Sequence, residues 1–250
     1  MNVKLRRTPA SAVAVAATLL TLSACGNSDT VSGQKSFSLS GNRLVIDAPS
    51  SDLRVVPGRG SGIQVQRWLS GTAAKPGHSS WTLNGDTLTL RVDCSGLVFK
   101  CGRRFQVAVP PDVSVVVHSG DGNDTVSGLS GSVVIEGGSG QVKVSNISGS
   151  LKISTREGDI TASATRSPIV RATSKDGNVD IGFAAAPQLV DIKSRVGNIT
   201  AKVPIAGHRY RVSVTSGTGD ARSKVPNDSQ SSNVVQVSSA NGNATVLPAS

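Results

Sequence analysis

The chain predicts an all-β protein: a β-solenoid-like stack of short strands with a less regular N-terminal β cap. Three observations lead there. Seven glycines, Gly122, Gly140, Gly158, Gly177, Gly197, Gly219 and Gly242, recur at spacings of 18, 18, 19, 20, 22 and 23 residues. Apolar and polar residues alternate on both sides of each glycine. The composition, with 27 glycines and 3% aromatics, suits narrow β structure filled with branched aliphatics rather than a core built on large rings.

The repeat covers residues 110–247 in seven units. Seven residues before each glycine stand Val115, Val133, Leu151, Val170, Val190, Val212 and Val235. Five before stand Val117, Ile135, Ile153, Ala172, Ile192, Val214 and Val237. Three before, every residue is small: Ser119, Gly137, Thr155, Ser174, Ser194, Ser216 and Ser239. The positions between are mostly polar, and a period of two with one apolar face is a half-buried strand. Two residues after each glycine the alternation resumes, at Asp124, Val142, Ile160, Val179, Ile199, Ala221 and Ala244. Each unit therefore reads as strand, tight glycine turn, strand. Such a unit cannot bury its apolar face alone, and stacking units with strands about 4.8 Å apart solves this. An antiparallel sandwich of hairpins is the competing architecture, but equivalent positions recurring by whole units favour the stack. Ala221 and Ser223 are weak interior residues and predict a looser penultimate rung.

Residues 36–109 carry the same alternation less regularly, as Leu44/Ile46, Leu53/Val55, Ile63/Val65, Leu88/Leu90 and Phe105/Val107. A polar stretch from Trp68 to Trp81 breaks the rhythm, and Pro110-Pro111 separates this part from the array. It reads as an N-terminal β cap or partly antiparallel subdomain, which an open stack needs because a bare edge recruits other chains.

Residues 1–24 read as a targeting segment. Lys4, Arg6 and Arg7 form a basic start, and Ala10 to Leu22 is an apolar run too short to span a bilayer, which takes about 20 residues. Leu22-Ser23-Ala24-Cys25 resembles the lipobox of bacterial lipoproteins. That resemblance implies cleavage before Cys25, lipidation of its thiol and a chain held by lipid on the outer side of the cell membrane. Two or three acyl chains anchor stably where one does not. An ordinary secretory peptide with a chance cysteine is the alternative. Residues 25–35 are expected as a flexible tether. Removing 1–24 lowers the formal charge from +10 to +7. That balance favours anionic polymers or membrane surfaces, whereas nucleic acid is a poor match without basic clusters interleaved with aromatics.

Cys94 and Cys101 are expected to form one local disulfide in an oxidising compartment. A metal site is the competing reading, weakened by the lack of a nearby His. Ser119-Gly120-Asp121-Gly122-Asn123-Asp124 approaches a calcium-binding nonapeptide, but the next nine residues carry no Asp, and that chemistry needs tandem copies. His78, His118 and His208 form no spaced ligand set, and no nucleophile elbow or phosphate loop is present. No metal, cofactor or catalytic residue is expected. Lys143, Lys152, Arg171, Lys193 and Arg222 occupy outward positions of successive rungs, where they serve either solvation and edge protection or a basic stripe for anionic envelope polymers.

Rungs such as Ser-Gly-Asp-Gly (119–122), Arg-Glu-Gly-Asp-Ile (156–160) and Lys-Asp-Gly-Asn-Val (175–179), behind a lipobox and a tether, resemble the bacterial putative-adhesin family of β-strand-repeat proteins, a domain of unknown function. The resemblance covers most of 36–247. It implies a solenoid-like fold, a surface role and no catalytic residue. Three functional classes follow: a binding or adhesion module contacting wall polymers or another envelope protein, a structural component of an envelope complex, and an envelope hydrolase acting on polysaccharide.

Overall fold

The computed structural model describes residues 30–95 and 101–249. The signal segment and Cys25 lie outside the described residues. The N-terminal part holds β1 (Thr30–Ser38), β2 (Arg43–Ala48), β3 (Asp52–Pro57), β4 (Gly62–Gly71), β5 (Ser79–Asn84), β6 (Thr87–Val92) and β7 (Cys101–Val109). The repeat contributes strands in pairs: β8 (Ser114–Ser119) and β9 (Asp124–Ser127), β10 (Val133–Ser139) and β11 (Val142–Ser145), β12 (Leu151–Glu157) and β13 (Ile160–Thr165). There follow β14 (Ile169–Asp176) and β15 (Val179–Phe183), β16 (Leu189–Val196) and β17 (Ile199–Val203), β18 (Arg211–Thr218) and β19 (Ala221–Ser223), and β20 (Val234–Asn241) and β21 (Ala244–Pro248).

The two members of each pair go to different sheets, so the repeated glycine is a corner and not a hairpin. The first sheet runs β1-β4-β7-β3-β9-β11-β13-β15-β17-β21-β19, and the second runs β5-β6-β2-β8-β10-β12-β14-β16-β20-β18. Pairing is parallel throughout the stack, for example Val133↔Leu151 and Ile135↔Ile153. It is antiparallel only at the N-terminal end, between β1 and β4, β4 and β7, and β5 and β6. Outside the unit around Gly219, the apolar positions named above are buried and form one cluster running from Leu44 to Val246.

Two expectations change. Residues 30–35 belong to β1, not to a tether: Val31 pairs with Leu69 and Lys35 with Val65. Along β1 only Gly33, Lys35 and Phe37 are partly buried, alternating with exposed residues, and the Lys35 ammonium sits 4.8 Å from the Phe37 ring centre. The rungs also do not follow chain order. Strand β20 lies between β16 and β18, and β21 between β17 and β19. The unit around Gly219 is therefore the outermost rung, not the penultimate one. Its interior residues Val212 and Val214 are only half-buried, and Ala221 and Ser223 are exposed. A rung with one neighbour can bury only half as much as a rung with two, so weak apolar residues are tolerated there.

Three columns hold the corners together. At each glycine the backbone of the preceding rung approaches so closely that a Cβ would meet its carbonyl oxygen: Gly158 faces Gly140, Gly177 faces Gly158, and Gly242 faces Gly197. Gly140, Gly158, Gly197 and Gly242 also take positive φ, which glycine adopts without a Cβ penalty. The small residues three before the glycine cap these carbonyls: Ser194 Oγ donates to Gly177 O at 3.0 Å, Ser239 Oγ to Gly197 O at 2.8 Å, and Ser216 Oγ to Gly242 O at 2.8 Å. One residue after the glycine an amide ladder climbs the edge. The backbone N–H of Asn178 donates to Asp159 Oδ1, that of Asn198 to Asn178 Oδ1, that of Asn243 to Asn198 Oδ1, and that of Asp220 to Asn243 Oδ1, each at 2.8–2.9 Å.

Candidate functional site

The outer faces of the two sheets are where this fold meets its surroundings. On the first sheet, register aligns one polar side chain per strand in a continuous row: Gln34, Gln66, Gln106, Arg54, Thr125, Lys143, Thr161, Asp180, Thr200, Thr245 and Arg222. Lys143 and Arg222 lie on this face. Lys152, Arg171 and Lys193 lie on the outer face of the second sheet, so the five cations do not form one stripe. The reason is the corner: residues before and after the glycine belong to different sheets and face away from each other. Only Lys152 and Arg171 are register neighbours. Lys193 Nζ pairs with Asp191 at 3.2 Å, and Arg222 with Asp220 at 2.9 Å.

The Asp-Gly turn of the first unit is structural. Asp124 occupies the interior position that Val142, Ile160 and Val179 take in later rungs, between Leu53 and Val142. It is 1% exposed. Its Oδ2 accepts a hydrogen bond from Ser119 Oγ, while Oδ1 has no partner among the described residues. Burial pushes its carboxyl pKa up to about 6, with Asp52's charge adding to the rise and the Ser119 hydrogen bond opposing it. Among the described residues no three His, Cys, Asp or Glu side chains lie where they could share a metal ion. Cys94 and Cys101 are joined as a disulfide, with Cα atoms 6.1 Å apart, at the start of β7. His118 lies on the outer face of the second sheet with Nδ1 3.2 Å from Glu136 Oε2.

Two depressions mark the ends of the stack. One, of about 180 Å³, lies on the outer face of the first sheet and is lined by Arg54, Trp68, Arg104, Phe105 and Gln106. The other, of about 520 Å³, lies among the connections flanking the last rungs, where Arg209 pairs with Asp228 at 3.5 Å beside Ile205 and His208. Tyr210, next in the chain to Arg209, is fully buried, and its O–H donates to Pro204 O at 2.7 Å. Trp68 opens the polar stretch that breaks the rhythm of the sequence, which hides it as a site residue. The signal was present: Ile63 and Val65 face inward, so the alternation carries on to Leu69 inward and Trp68 outward.

A two-sheet rack of parallel strands turning at glycine corners defines the class of protein. The particular family follows from residues 111–247, more than half of the chain, which match the family described as Toastrack DUF4097. The chain belongs to this family. No curated protein matches it. Among solved structures it is similar to a putative cell adhesion protein from Clostridium sporogenes, with 12% identity, 88% of this chain and 99% of that chain covered, and a TM-score of 0.43. It is also similar to a putative adhesin from Parabacteroides distasonis, with 15% identity, coverages of 88% and 98%, and a TM-score of 0.46. A putative lipid binding protein from the same organism shows 9% identity, coverages of 89% and 95%, and a TM-score of 0.42. No helix among the described residues is long and apolar enough to cross a membrane.

Proposed function

We propose that this protein is a lipid-anchored envelope lipoprotein that acts as a non-catalytic binding module. Cys25 carries the anchor, and the rack presents its faces to an extended partner at the cell surface. The observation that carries this reading is the row of polar side chains on the first sheet, one per strand across eleven strands. Such a row repeats at about 4.8 Å. It offers many shallow, evenly spaced contacts, which suit a polymer or a protein surface better than a small molecule in a pocket.

Two experiments test the two halves of the proposal. A Cys25→Ser chain is expected to leave the membrane fraction, and its retention there would remove the anchor. Purified chain is expected to sediment with isolated wall material at low salt and to be partly released at high salt. Absence of sedimentation at either salt concentration would overturn the binding role and leave a structural component as the better description.

A further inference from the structure

We propose that the depression at the N-terminal end of the first sheet is a binding site for an anionic saccharide. Trp68 stacks on the sugar ring, and Arg54 and Arg104 hold its acidic group. The proposal deepens the binding-module reading and rests on it.

The site is assembled from three strands. Trp68 on β4 is in register with Arg104 on β7, and Arg54 on β3 with Gln106 on β7. Neighbouring strands are about 4.8 Å apart, so these side chains rise side by side from one surface and line one depression. Trp68 stands apart from the other described aromatics. Phe105, Phe183 and Tyr210 are buried. Phe37 pairs with inward-facing Ile63 and Trp81 with inward-facing Leu90, and both pack against the core. Among the described aromatics Trp68 alone lies at an outward position of a strand, and it is half-buried.

Arg54 and Arg104 are both exposed and make no ion pair among the described residues. Asp52 is in register with Arg104, but its Oδ1 is committed to the Asn123 backbone N–H at 3.0 Å. Two exposed guanidinium groups thus stand beside the indole on β7 and β3, with the Asp52 carboxylate as the nearest acid in register. Gln66 and Gln106 continue the surface with amide donors and acceptors.

This set of groups specifies a chemistry. A flat apolar ring beside hydrogen-bonding amides suits a ligand with an apolar face and a hydroxylated rim. Guanidinium forks suit a carboxylate or phosphate, which they can bind in two-point fashion. A pyranose carrying an acidic group has both features. The shallow shape admits one unit of a longer chain, and the polar row beyond Arg54 gives that chain a path along the rack.

The test uses the full chain carrying Cys25→Ser. The chain has two tryptophans, so adding Trp81→Phe leaves Trp68 as the only indole. Polygalacturonate is expected to quench this fluorescence saturably, whereas neutral dextran leaves it unchanged. By calorimetry, Arg54→Gln and Arg104→Gln are each expected to weaken polygalacturonate binding about tenfold, and Trp68→Ala by roughly the same factor. Raising salt from about 0.05 M to about 0.5 M is expected to weaken it further, because exposed charges are screened.

Should Trp68→Ala lower the unfolding midpoint, the two arginine variants, on exposed side chains, still decide the matter. Unchanged affinity in both, or no Trp68 quenching, overturns the site. So does polyphosphate binding that is equally tight and indifferent to Trp68→Ala, which would reveal charge attraction alone. A chain that sediments with walls yet fails these tests keeps its binding role and loses this site. A chain that passes them but ignores walls keeps the site and loses that role.

Discussion

Between β8 and β17 each unit lays its two strands directly on those of the unit before it. At both ends the chain departs from that order. At the start, β2 and β3 form a rung that is later covered on one side by β6 and β7 and on the other by β8 and β9. At the finish, β18 and β19 are placed one rung out, and β20 and β21 fill the gap. The middle is pressed from both sides, so each corner glycine there meets the carbonyl of the rung before it. The end rungs have a free side, and the two depressions lie toward those ends. The regular part is therefore the scaffold, and its ends are where the chain is free to specify contacts.

The largest expected effect breaks the middle and spares the end. Gly158 has a φ of +111° and its Cβ would meet the Gly140 carbonyl. Gly158→Ala is expected to cost about 3 kcal/mol or more, since backbone on both sides must shift. Gly60 also has positive φ, at +80°, but open space where a Cβ would lie. Gly60→Ala should cost only about 1–2 kcal/mol of backbone strain. Urea unfolding of both variants measures the difference, and equal losses would mean that the glycine column is not closely packed.

Asp124 sharpens the comparison, because it puts a carboxylate where the middle rungs hold Val or Ile. A carboxyl raised to about 6 in the fold, and near 3.9 when unfolded, binds more protons folded than unfolded between those values. Its contribution is therefore most favourable below about pH 4 and is lost as pH rises through about 6, on the order of 2–3 kcal/mol in all. Asp124→Val is expected to raise stability by about 2 kcal/mol at pH 8 and by much less at pH 4. Unfolding midpoints across that range check it. A wild-type stability that climbs from pH 4 to pH 7, with no change in slope in the variant, would contradict the assignment.

The N-terminal end has a covalent staple that the middle lacks. Replacing Cys94 and Cys101 by Ser removes a crosslink over a sequence separation of 7, worth about 2 kcal/mol for so short a loop. Hydrogen exchange should show the loss in β4 and β7, with β12 to β17 protected as before. Uniform loss along the whole stack would mean that the ends and middle unfold as one unit.

How much of this was legible follows from the same contrast. Period-two alternation marks which side chains face inward, so the buried set from Val115 to Val246 and the pairs Leu44/Ile46 and Phe105/Val107 could be read directly. Rung order could not be, because a unit that fits beside its predecessor fits equally beside any rung of the same register. The hint lay in spacing. The connections 204–210 and 224–233 must reach past a rung, and they account for the last spacings of 22 and 23. The five cations do not share a face because the glycine is a corner between sheets, which alternation alone does not distinguish from a turn within one surface. Trp68 was obscured because an outward aromatic looks like a break in a rhythm defined by inward residues.

The smallest predicted effect concerns the amide ladder. In the middle, Asn178 works in both directions: its Oδ1 accepts the Asn198 N–H at 2.9 Å, and its own N–H and Nδ2 donate to Asp159 Oδ1 at 2.8 and 3.2 Å. Asp220, at the same place in the outermost rung, receives the ladder from Asn243 but has no further rung to pass it to. Its carboxylate instead meets the exposed Arg222, and such surface pairs contribute little. Asn178→Ala is therefore expected to cost about 1 kcal/mol, the usual net value of a lost hydrogen bond. Asp220→Ala should stay within about 0.5 kcal/mol. Both side chains are exposed enough that neither change opens a cavity, so the difference isolates the ladder. Equal costs would mean that the column is decorative and that packing of the inward aliphatics alone sets the spacing of the rungs.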